Sequence, residues 1–407
     1  MQGQQRARGM KHIDLTQVQL ASSETARRIN RDIVLELIRA NPPISRADLS
    51  RRSGLQRSTV SQIVEQLIRE KWVCEGAVAS RPRGRRPTLL GLNDDLVVIA
   101  VDIHPKQATV ATVDLKGRLL SRSTVSLTLD PAASTRRIID CMLEMKRGLL
   151  HKSVEGIGIS LPGRVDPRTQ RLIFAPNLHW SDFDLKRVIE KKMGLPVQME
   201  NAATACLLAE LTFRRIDGVR DIVLVTVSEG VGTGVFADGQ VITGHHGMAG
   251  EFGHASLDPS GPRCACGRNG CWEVFASCRA ALRYYKELEP QSHTVTFHEL
   301  LNMADDDRHA AQALAKQALY IGRGLRMIIA GLAPGVILVA GDITSAWHRF
   351  GPIIEKESAD RLLAGTPPRI IPTHEGEIAR LRGAAALVFQ RRPVLEQHQE
   401  RDLPGSQ

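Results

Sequence analysis

The sequence predicts an α/β protein with two parts, an N-terminal winged helix-turn-helix and a two-lobed α/β body. Short amphipathic helices separated by turn residues occupy residues 25–71, and a hairpin pattern follows them. In the body, one order of buried strands starts near residue 96 and starts again at residue 221. A duplicated strand order indicates two similar lobes with a cleft between them. A chain of 407 residues is also too long for one ordinary core.

Three helices are predicted in the N-terminal part. The first spans 25–40 and ends at a Pro-Pro pair, and a short second helix spans 46–52 and is capped by Ser45. Ser53-Gly54-Leu55 forms a tight turn, and the third helix covers about 56–71. The residues of the first helix that are predicted to face inward are Ile29, Ile33, Val34, Leu37 and Ile38.

A hairpin is predicted for residues 73–92, with an Arg-rich tip at 80–87. Its four arginines, on a tip stiffened by Pro and Gly, suit a minor groove beside the third helix. The outward face of that helix carries side chains that can bond to phosphates and base edges in a major groove. The residues predicted to contact DNA are Ser45, Arg46, Gln56, Arg57, Ser58, Thr59, Ser61, Gln62, Arg81, Arg83, Arg85 and Arg86.

The charge distribution favours a nucleic-acid partner. Residues 1–90 contain 17 Lys and Arg against 8 Asp and Glu, whereas the rest of the chain contains 37 against 36. A basic module attached to a neutral body is typical of a protein that meets a polyanion through one domain. The alternative is a three-helix protein-interaction module with a solvated face. It would explain neither the Arg-rich wing nor the location of the charge.

The sequence carries no signal for secretion or for membrane insertion. Its N-terminus is polar, and no window approaches eighteen uninterrupted apolar residues. The seven cysteines, an odd number, argue against a disulfide framework. We therefore expect a cytoplasmic protein without a membrane partner.

Five segments are predicted along the chain. They are a disordered arm at 1–24, the winged helix-turn-helix at 25–92, a first lobe at 93–200 that is completed by about 370–390, a second lobe at 201–369, and a disordered tail at 391–407.

Three cysteines within eight residues indicate a metal site. Cys264, Cys266 and Cys271 follow His254, and two glycines let the loop between them fold back. Three thiols and one imidazole make a closed tetrahedral set, which is typical of structural rather than catalytic zinc. The alternative is that reduced cysteines pack as small hydrophobic side chains. A loop rich in Gly and Arg makes a poor core segment, so we favour zinc.

These motifs resemble the ROK family (repressors, open reading frames and kinases). The family consensus C-x-C-G-x-x-G-C-x-E is reproduced at Cys264–Glu273, the G-E-x-G-H element is Gly250–His254, and the resemblance covers roughly 21–389. It implies an actin/hexokinase-like (ribonuclease H-like) body with a zinc loop on His254 and the three cysteines, and a sugar or sugar phosphate in the cleft. The helix-turn-helix extension is similar to that of the repressor branch, which includes the N-acetylglucosamine and xylose repressors. The positions that the resemblance assigns to sugar binding are Gly163, Arg164, Asn177, Asn201, Glu251, His254 and Glu273.

Three departures from the kinase pattern of this family indicate that phosphoryl transfer is lost. The D-x-G-G-T element that approaches ATP phosphates matches Asp102-Ile-His-Pro-Lys106, and a proline has no amide to donate. The Asn-Asp pair that contains the kinase base matches Asn201-Ala202, and an alanine cannot accept a proton. The second phosphate loop matches Ser228-Glu229-Gly230, which places a carboxylate near the polyphosphate. We therefore expect no catalytic residue and no ATP cofactor.

The sequence thus predicts a sugar-responsive DNA-binding repressor of carbohydrate uptake and catabolism genes, acting on double-stranded operator DNA as a homodimer or homotetramer. Two alternatives remain open at this point. One is a DNA-associated ROK sugar kinase, and the other is a repressor whose body is controlled by a partner protein.

Overall fold

In the computed structural model the chain separates into two compact units, residues 1–94 and residues 95–407. The structure describes residues 23–78, 88–175, 178, 180, 183–214, 218–360, 365–373 and 376–390. Several predictions fall outside these ranges. They concern the four wing arginines Arg81, Arg83, Arg85 and Arg86, the proposed sugar contact Asn177, nearly all of the N-terminal arm, and the C-terminal tail.

The first unit is a winged helix-turn-helix. Its helices are α1 (Ser23–Ala40), α2 (Arg46–Ser53) and α3 (Arg57–Arg69), and its antiparallel sheet has the order β1-β3-β2, where β1 is Ile44–Ser45, β2 is Val73–Val78 and β3 is Thr88–Leu92. The turn between α2 and α3 depends on Gly54, which has φ 73° and donates its backbone N–H to the carbonyl oxygen of Ser50. A glycine is favoured there because other residues are strained at positive φ.

The buried face of α1 differs from the one predicted. Val34, Leu35 and Ile38 are buried, whereas Ile29 is 51% exposed and Ile33 is 40% exposed. Helical spacing locates an apolar stripe, but it does not tell which part of a wide stripe faces the core. Here α1 contacts α2, α3 and β3 within its own unit, and those contacts select the Val34–Ile38 side.

The second unit contains two five-stranded sheets of equivalent topology, as the duplicated strand order predicted. The first sheet has the order β10-β7-β4-β5-β6, and the second has the order β13-β12-β11-β14-β15. In each, three parallel strands are continued by an antiparallel pair. The strands of the first sheet and its neighbouring ribbon are β4 (Leu96–Ile103), β5 (Gln107–Asp114), β6 (Leu119–Ser126), β7 (Ser153–Leu161), β8 (Arg164–Val165), β9 (Leu172–Phe174) and β10 (Val197–Asn201). Those of the second are β11 (Ile222–Val227), β12 (Val231–Ala237), β13 (Gln240–Val241), β14 (Val336–Ala340) and β15 (Arg369–Thr373).

Helices cover the faces of both sheets. They are α4 (Pro131–Arg147), α5 (Leu185–Met193), α6 (Ala202–Phe213), α7 (Glu273–Ala276), α8 (Cys278–Leu288), α9 (Phe297–Met303), α10 (Arg308–Leu332), α11 (Trp347–Ala359) and α12 (Gly376–Phe389). No helix within the described ranges is long and apolar enough to cross a bilayer.

Helices α6 and α12 lie between the two sheets. Helix α12 packs on β7 and β4 of the first sheet and on α6, and α6 packs on β11 and β12 of the second. The packing is close enough to require glycine, because a Cβ at Gly158 would lie 1.7 Å from the carbonyl oxygen of Ala384. A Cβ at Gly383 would likewise lie 2.0 Å from the carbonyl oxygen of Ala205. These contacts bring the ends of the parallel strands of both sheets toward one cleft.

Candidate functional site

A cavity of about 1300 Å³ lies in the second unit and is lined by residues from both sheets. Its walls include the ends of β4, β10, β11 and β14, which is where ligands bind in folds of this kind. The structure brings together all the described residues that were predicted to bind sugar, namely Gly163, Arg164, Asn201, Glu251, His254 and Glu273.

The first-lobe wall is built around Asn201, which caps α6. Its Oδ1 accepts a hydrogen bond from the Ala203 N–H at 2.8 Å, and its Nδ2 donates to the carbonyl oxygen of Gly163 at 2.9 Å. The amide therefore fixes the loop that carries Arg164 against the start of α6. The Nε of Arg164 is buried and has no hydrogen-bond partner among the described residues. A buried donor of this kind, beside a cavity, is suited to a polar ligand.

The second-lobe wall includes a one-turn 3-10 helix, Glu251–His254. This turn packs tightly on β12, because a Cβ at Gly253 would lie 2.1 Å from the carbonyl oxygen of Val231. The side chain of Glu251 is 46% exposed, and its Oε2 lies 3.9 Å from Nε2 of His254. One carboxylate and one imidazole nitrogen thus face the cavity from a rigid turn.

Glu273 joins the cavity to the cysteine cluster. Its Oε2 accepts a hydrogen bond from the Val231 N–H at 3.2 Å, and its Oε1 lies 3.7 Å from Sγ of Cys264. Oε1 is also 3.9 Å from Nη2 of Arg279. The side chain is only 11% exposed, so its role is in part to position the turn before β12.

His254, Cys264, Cys266 and Cys271 form a cluster that could hold a metal ion. Their ligand atoms all lie within 4.8 Å of one another. The imidazole Nδ1 of His254 is 3.6 Å from Sγ of Cys264, and the sulfurs of Cys266 and Cys271 are also 3.6 Å apart. His254 therefore presents Nδ1 to the cluster and Nε2 to the cavity.

The loop that carries the cysteines is held by its neighbours. Gly270 has φ 65°, and a Cβ there would lie 1.5 Å from the carbonyl oxygen of Asp258. Trp272, which follows the last cysteine, is fully buried and donates its indole N–H to the carbonyl oxygen of Tyr320 at 2.8 Å. A rigid, anchored loop of this kind can present three sulfurs to one ion without further folding.

A polar network that the sequence did not predict lies at the end of β4. Nε of Arg380, on α12, donates to Oδ2 of Asp102 at 2.8 Å. Nε2 of His104 lies 2.8 Å from the same oxygen and 2.9 Å from Nη2 of Arg380. Burial opposes ionisation of Asp102, but Arg380 and His104 lower the pKa of its carboxyl below the usual value. This network occupies the segment that resembles the phosphate-binding element of ROK kinases.

Glu200 is a second cavity residue that the sequence did not single out. It lies at the end of β10, next to Asn201, and lines the cavity. Burial raises the pKa of its carboxyl to about 7, and the Asn201 N–H, which donates to it at 2.7 Å, opposes this effect. No local pattern distinguishes a cavity-facing Glu from a solvated one at a strand end.

The positions that differ from the kinase pattern also border the cavity. Ala202 is the first residue of α6, and Glu229 lies in the turn between β11 and β12, where its side chain is exposed. Pro105 lines the same cavity beside His104. The methyl group of Ala202 provides no oxygen or nitrogen that could take a proton from a ligand hydroxyl.

In the first unit, the third helix presents the polar face that was predicted to meet DNA. Gln56, Arg57, Ser58 and Gln62 are exposed, while Thr59 and Ser61 are half-buried. The other described residues predicted to contact DNA, Ser45 and Arg46, each form a contact within the first unit. Ser45 is 2% exposed and caps α2 by accepting the Asp48 N–H, and Nη1 of Arg46 lies 2.8 Å from Oε1 of Glu75. The side chain of Ser45 is thus directed into its own unit, whereas Arg46 is partly exposed and stays a predicted DNA contact.

The fold and the cleft define a two-lobed, sugar-kinase-like body, and the first unit adds a DNA-binding module. The chain belongs to the ROK family, because the ROK family model matches residues 98–391. A winged helix-turn-helix DNA-binding model matches residues 27–73.

Named relatives include both regulators and kinases. The xylose repressor of Bacillus subtilis (strain 168) is 30% identical over 377 residues, which cover 91% of this chain and 97% of that protein. The crystal structure of a ROK family transcriptional regulator, a homologue of the Escherichia coli MLC protein, has a TM-score of 0.77 and 27% identity, with 89% of this chain and 96% of that one covered. A ROK family glucokinase from Streptomyces griseus, crystallised with glucose and AMPPNP, has a TM-score of 0.66 and 27% identity, with 72% and 100% covered.

Proposed function

We propose that this protein is a sugar-responsive DNA-binding transcriptional repressor of carbohydrate uptake and catabolism genes, and that its ROK body binds the effector without phosphorylating it. The observation that carries the proposal is the presence of a winged helix-turn-helix and a ROK body in one chain. The similarity to the xylose repressor covers 91% of this chain, whereas that to the Streptomyces griseus glucokinase covers 72% of it.

The cavity chemistry supports a carbohydrate effector, either a sugar or a sugar phosphate. Hydroxyl groups are bound by side chains that both accept and donate hydrogen bonds at fixed positions. Glu251 and Glu273 supply acceptors, Arg164 supplies an unpaired Nε donor, and His254 supplies a ring nitrogen. We assign these residues, together with Gly163 and Asn201, to effector binding, and we retain Asn177 as a candidate contact.

We assign structural zinc to the cluster of His254, Cys264, Cys266 and Cys271. Zinc bonds of about 2.3 Å to sulfur and about 2.0–2.1 Å to nitrogen, in a tetrahedron, separate sulfur from nitrogen by about 3.6 Å and two sulfurs by about 3.8 Å. The His254–Cys264 and Cys266–Cys271 separations are both 3.6 Å, close to these values, and all four ligand atoms lie within 4.8 Å of one another. A zinc ion there would stabilise the loop and would fix the orientation of the His254 ring, so its Nε2 would stay directed at the effector.

Phosphoryl transfer is not part of the proposed function. The residue in the position of the kinase base is Ala202, and loss of a general base alone lowers a rate by about 10²–10⁴-fold. The exposed carboxylate of Glu229 further disfavours a bound triphosphate by like-charge repulsion, and Pro105 has no backbone N–H to donate to a phosphate.

Effector binding would control DNA binding through closure of the cleft in an oligomer, either a dimer or a tetramer. Two winged helices in a symmetric dimer read two half-sites with a fixed spacing. A sugar that prefers the closed cleft shifts the population toward that conformation and so changes the placement of the two DNA-binding modules.

The test is an electrophoretic mobility shift assay with a duplex from the region upstream of the chain's own gene. We expect a specific complex at physiological salt, and we expect D-xylose, N-acetyl-D-glucosamine, D-glucose or one of their phosphates to dissociate it. Glu251→Ala should keep DNA binding and lose the response to the sugar. A chain that ignores duplex DNA, or that binds it specifically but responds to no sugar in the panel, contradicts the proposal.

A further inference from the structure

Glu200 is an acidic cavity residue to which neither the sequence motifs nor the metal cluster gives a role. Its side chain lines the cavity at the end of β10, and its Oε1 accepts one hydrogen bond, from the Asn201 N–H at 2.7 Å. Within the described ranges no Lys, Arg or His side chain forms an ion pair with this carboxylate. A carboxylate that is partly removed from water and has a single backbone donor has hydrogen-bonding capacity left over.

The position of Glu200 places it in the wall that faces the proposed effector. Asn201, the next residue, donates its side-chain amide to the carbonyl oxygen of Gly163, so the end of β10 and the Gly163–Arg164 loop form one continuous surface. Ala202 follows, and its methyl group cannot bond to a hydroxyl. Glu200 is therefore the acid on this segment that can accept a hydrogen bond from a ligand.

The groups around Glu200 do not supply the missing partner. On β7, Ser160 pairs in register with Glu200 and presents a neutral hydroxyl on the same face of the sheet, and that hydroxyl is buried without a partner among the described residues. On β4, Asp102 pairs with Ser160, and its charge is directed at Arg380 of α12 and at His104. On α6, Cys206 is buried and burial raises the pKa of its thiol to about 12, so it is neutral. Arg164 of β8 and Arg380 of α12 lie on elements that contact β10, but neither forms an ion pair with Glu200, and Arg380 is bound to Asp102.

We infer that Glu200 contacts the effector directly, and that its ionised carboxylate accepts a hydrogen bond from a sugar hydroxyl group. This inference rests on the proposed sugar response. Glu200 adds an acidic contact from the first lobe to the contacts of Glu251 and Glu273 in the second lobe. The ligand therefore binds to both sides of the cleft. Such a ligand favours the closed conformation over the open one.

The contact has a consequence for proton linkage. Burial raises the pKa of free Glu200 to about 7, and a hydroxyl that donates to the carboxylate stabilises the ionised form and lowers that pKa in the complex. Binding then releases a proton near neutral pH, and affinity rises with pH. Between one unit below and one unit above a pKa of about 7, the expected gain in affinity is about tenfold.

Isothermal titration calorimetry on the full-length protein tests this. The sugar panel is titrated at pH 6 and pH 8, on either side of the pKa of about 7, and at pH 7 in two buffers with different ionisation enthalpies. Glu200→Gln keeps an acceptor for the Asn201 N–H and cannot ionise. We expect this variant to bind about tenfold more weakly at pH 8 and to lose both the pH dependence and the proton release. Glu355→Gln, at an exposed site on α11, is the matched control and should behave as the parent does.

A stability measurement separates a ligand contact from a structural role. The parent protein loses stability as pH rises through about 7, because an ionised Glu200 is unfavourable in the folded state. Glu200→Gln should therefore unfold at pH 8 at a temperature no lower than the parent does. If Glu200 had a structural role instead, Glu200→Gln would unfold at pH 8 at a lower temperature than the parent.

The outcomes distinguish failure of this inference from failure of the proposed function. If the parent binds a sugar, but Glu200→Gln binds it with the same affinity and the same pH dependence, the inference is wrong and the proposed function stands. If the Gln variant does not fold, buffer-independent heats for the parent at pH 7 overturn the inference by themselves. If no sugar of the panel binds to the parent, the proposed sugar response and this inference both fail.

Discussion

Arg380 and Asp102 are 278 positions apart in the chain, and Nε of the first donates to Oδ2 of the second at 2.8 Å in the floor of the cleft. Asp102 has no measurable exposure, and Arg380 is 17% exposed at its side chain. A buried carboxylate of this kind depends on its cationic partner, because unpaired charge in the interior is strongly unfavourable. The pair therefore joins the C-terminal helix α12 to the strand β4 that begins the body.

Removal of this partner should destabilise the second unit. Arg380→Met keeps the aliphatic stem and removes the charge, and we expect the free energy of unfolding at neutral pH to fall by about 3 kcal/mol. The difference from the parent should narrow as pH decreases. Asp102 has a lowered pKa in the parent, so the stability it contributes is present above its unfolded value and is lost only at acid pH. In the variant its pKa rises, and a protonated Asp102 no longer requires a partner.

Urea denaturation of the two proteins at several pH values measures this effect. Arg136→Met, at an exposed site on α4, is the control and should change stability by less than about 0.5 kcal/mol. A loss that is the same at every pH would show that Arg380 acts by packing and not by charge.

The sequence predicted what depends on local spacing. The helices of the first unit, the repeated strands and the Cys264–Cys271 loop each have a periodicity or a motif that is readable within about twenty residues, and the structure contains them. The pairing of Asp102 with Arg380 has no such signal, because it is created by the packing of α12 on β4. The same reason applies to Glu200, because the raised pKa of its carboxyl comes from burial by residues that are distant in the sequence. For α1, the pattern identified an apolar stripe but not that Ile29 and Ile33 would lie outside the core.

Zinc content should depend on the cysteine cluster alone. Cys271 is buried and its sulfur is 3.6 Å from that of Cys266, so Cys271→Ser removes one of four donors from a closed set. We expect one zinc equivalent per chain in the parent and none after purification of the variant, with a lower melting temperature. Cys74→Ser, at an exposed cysteine of the first unit, is the control.

Elemental analysis by inductively coupled plasma mass spectrometry gives the zinc stoichiometry, and differential scanning fluorimetry gives the melting temperature. Retention of a full zinc equivalent by Cys271→Ser would show that Cys271 is not a zinc ligand. An equal loss in Cys74→Ser would point to non-specific binding by thiols.

Phosphoryl transfer should be absent, and restoring the base should not recover it. Ala202→Asp places a carboxylate at the start of α6, where the kinase pattern has one. Pro105 and Glu229 still border the cavity, however, and Arg380 is still bound to Asp102. We therefore expect ADP release at the background rate from both the parent and Ala202→Asp, with D-glucose, D-xylose or N-acetyl-D-glucosamine as acceptor.

A coupled assay for ADP measures this turnover, with a ROK glucokinase as the positive control. Sugar-dependent turnover by the parent, on the order of 1 s⁻¹ or faster, would establish the chain as an active kinase. Turnover by Ala202→Asp alone would show that the base was the sole defect and that the strand-end network does not obstruct a nucleotide.

DNA binding should depend on the start of helix α3 more than on its end. Arg57 is exposed at the first position of that helix, where recognition helices of winged helix-turn-helix proteins meet the major groove. We expect Arg57→Ala to weaken operator binding by about 1–3 kcal/mol, whereas Arg69→Ala, in the last turn of the same helix, should have a smaller effect.

Fluorescence anisotropy over a range of salt concentrations measures this binding and distinguishes a phosphate contact of Arg57 from a base contact. If Arg57 contacts a phosphate, the variant should bind all sequences more weakly, and the slope of log affinity against log salt concentration should fall by about one. If Arg57 contacts a base, the variant should lose preference for the operator while this slope stays nearly unchanged. Equal losses for Arg57→Ala and Arg69→Ala would contradict a recognition helix that enters the groove by its N-terminal end.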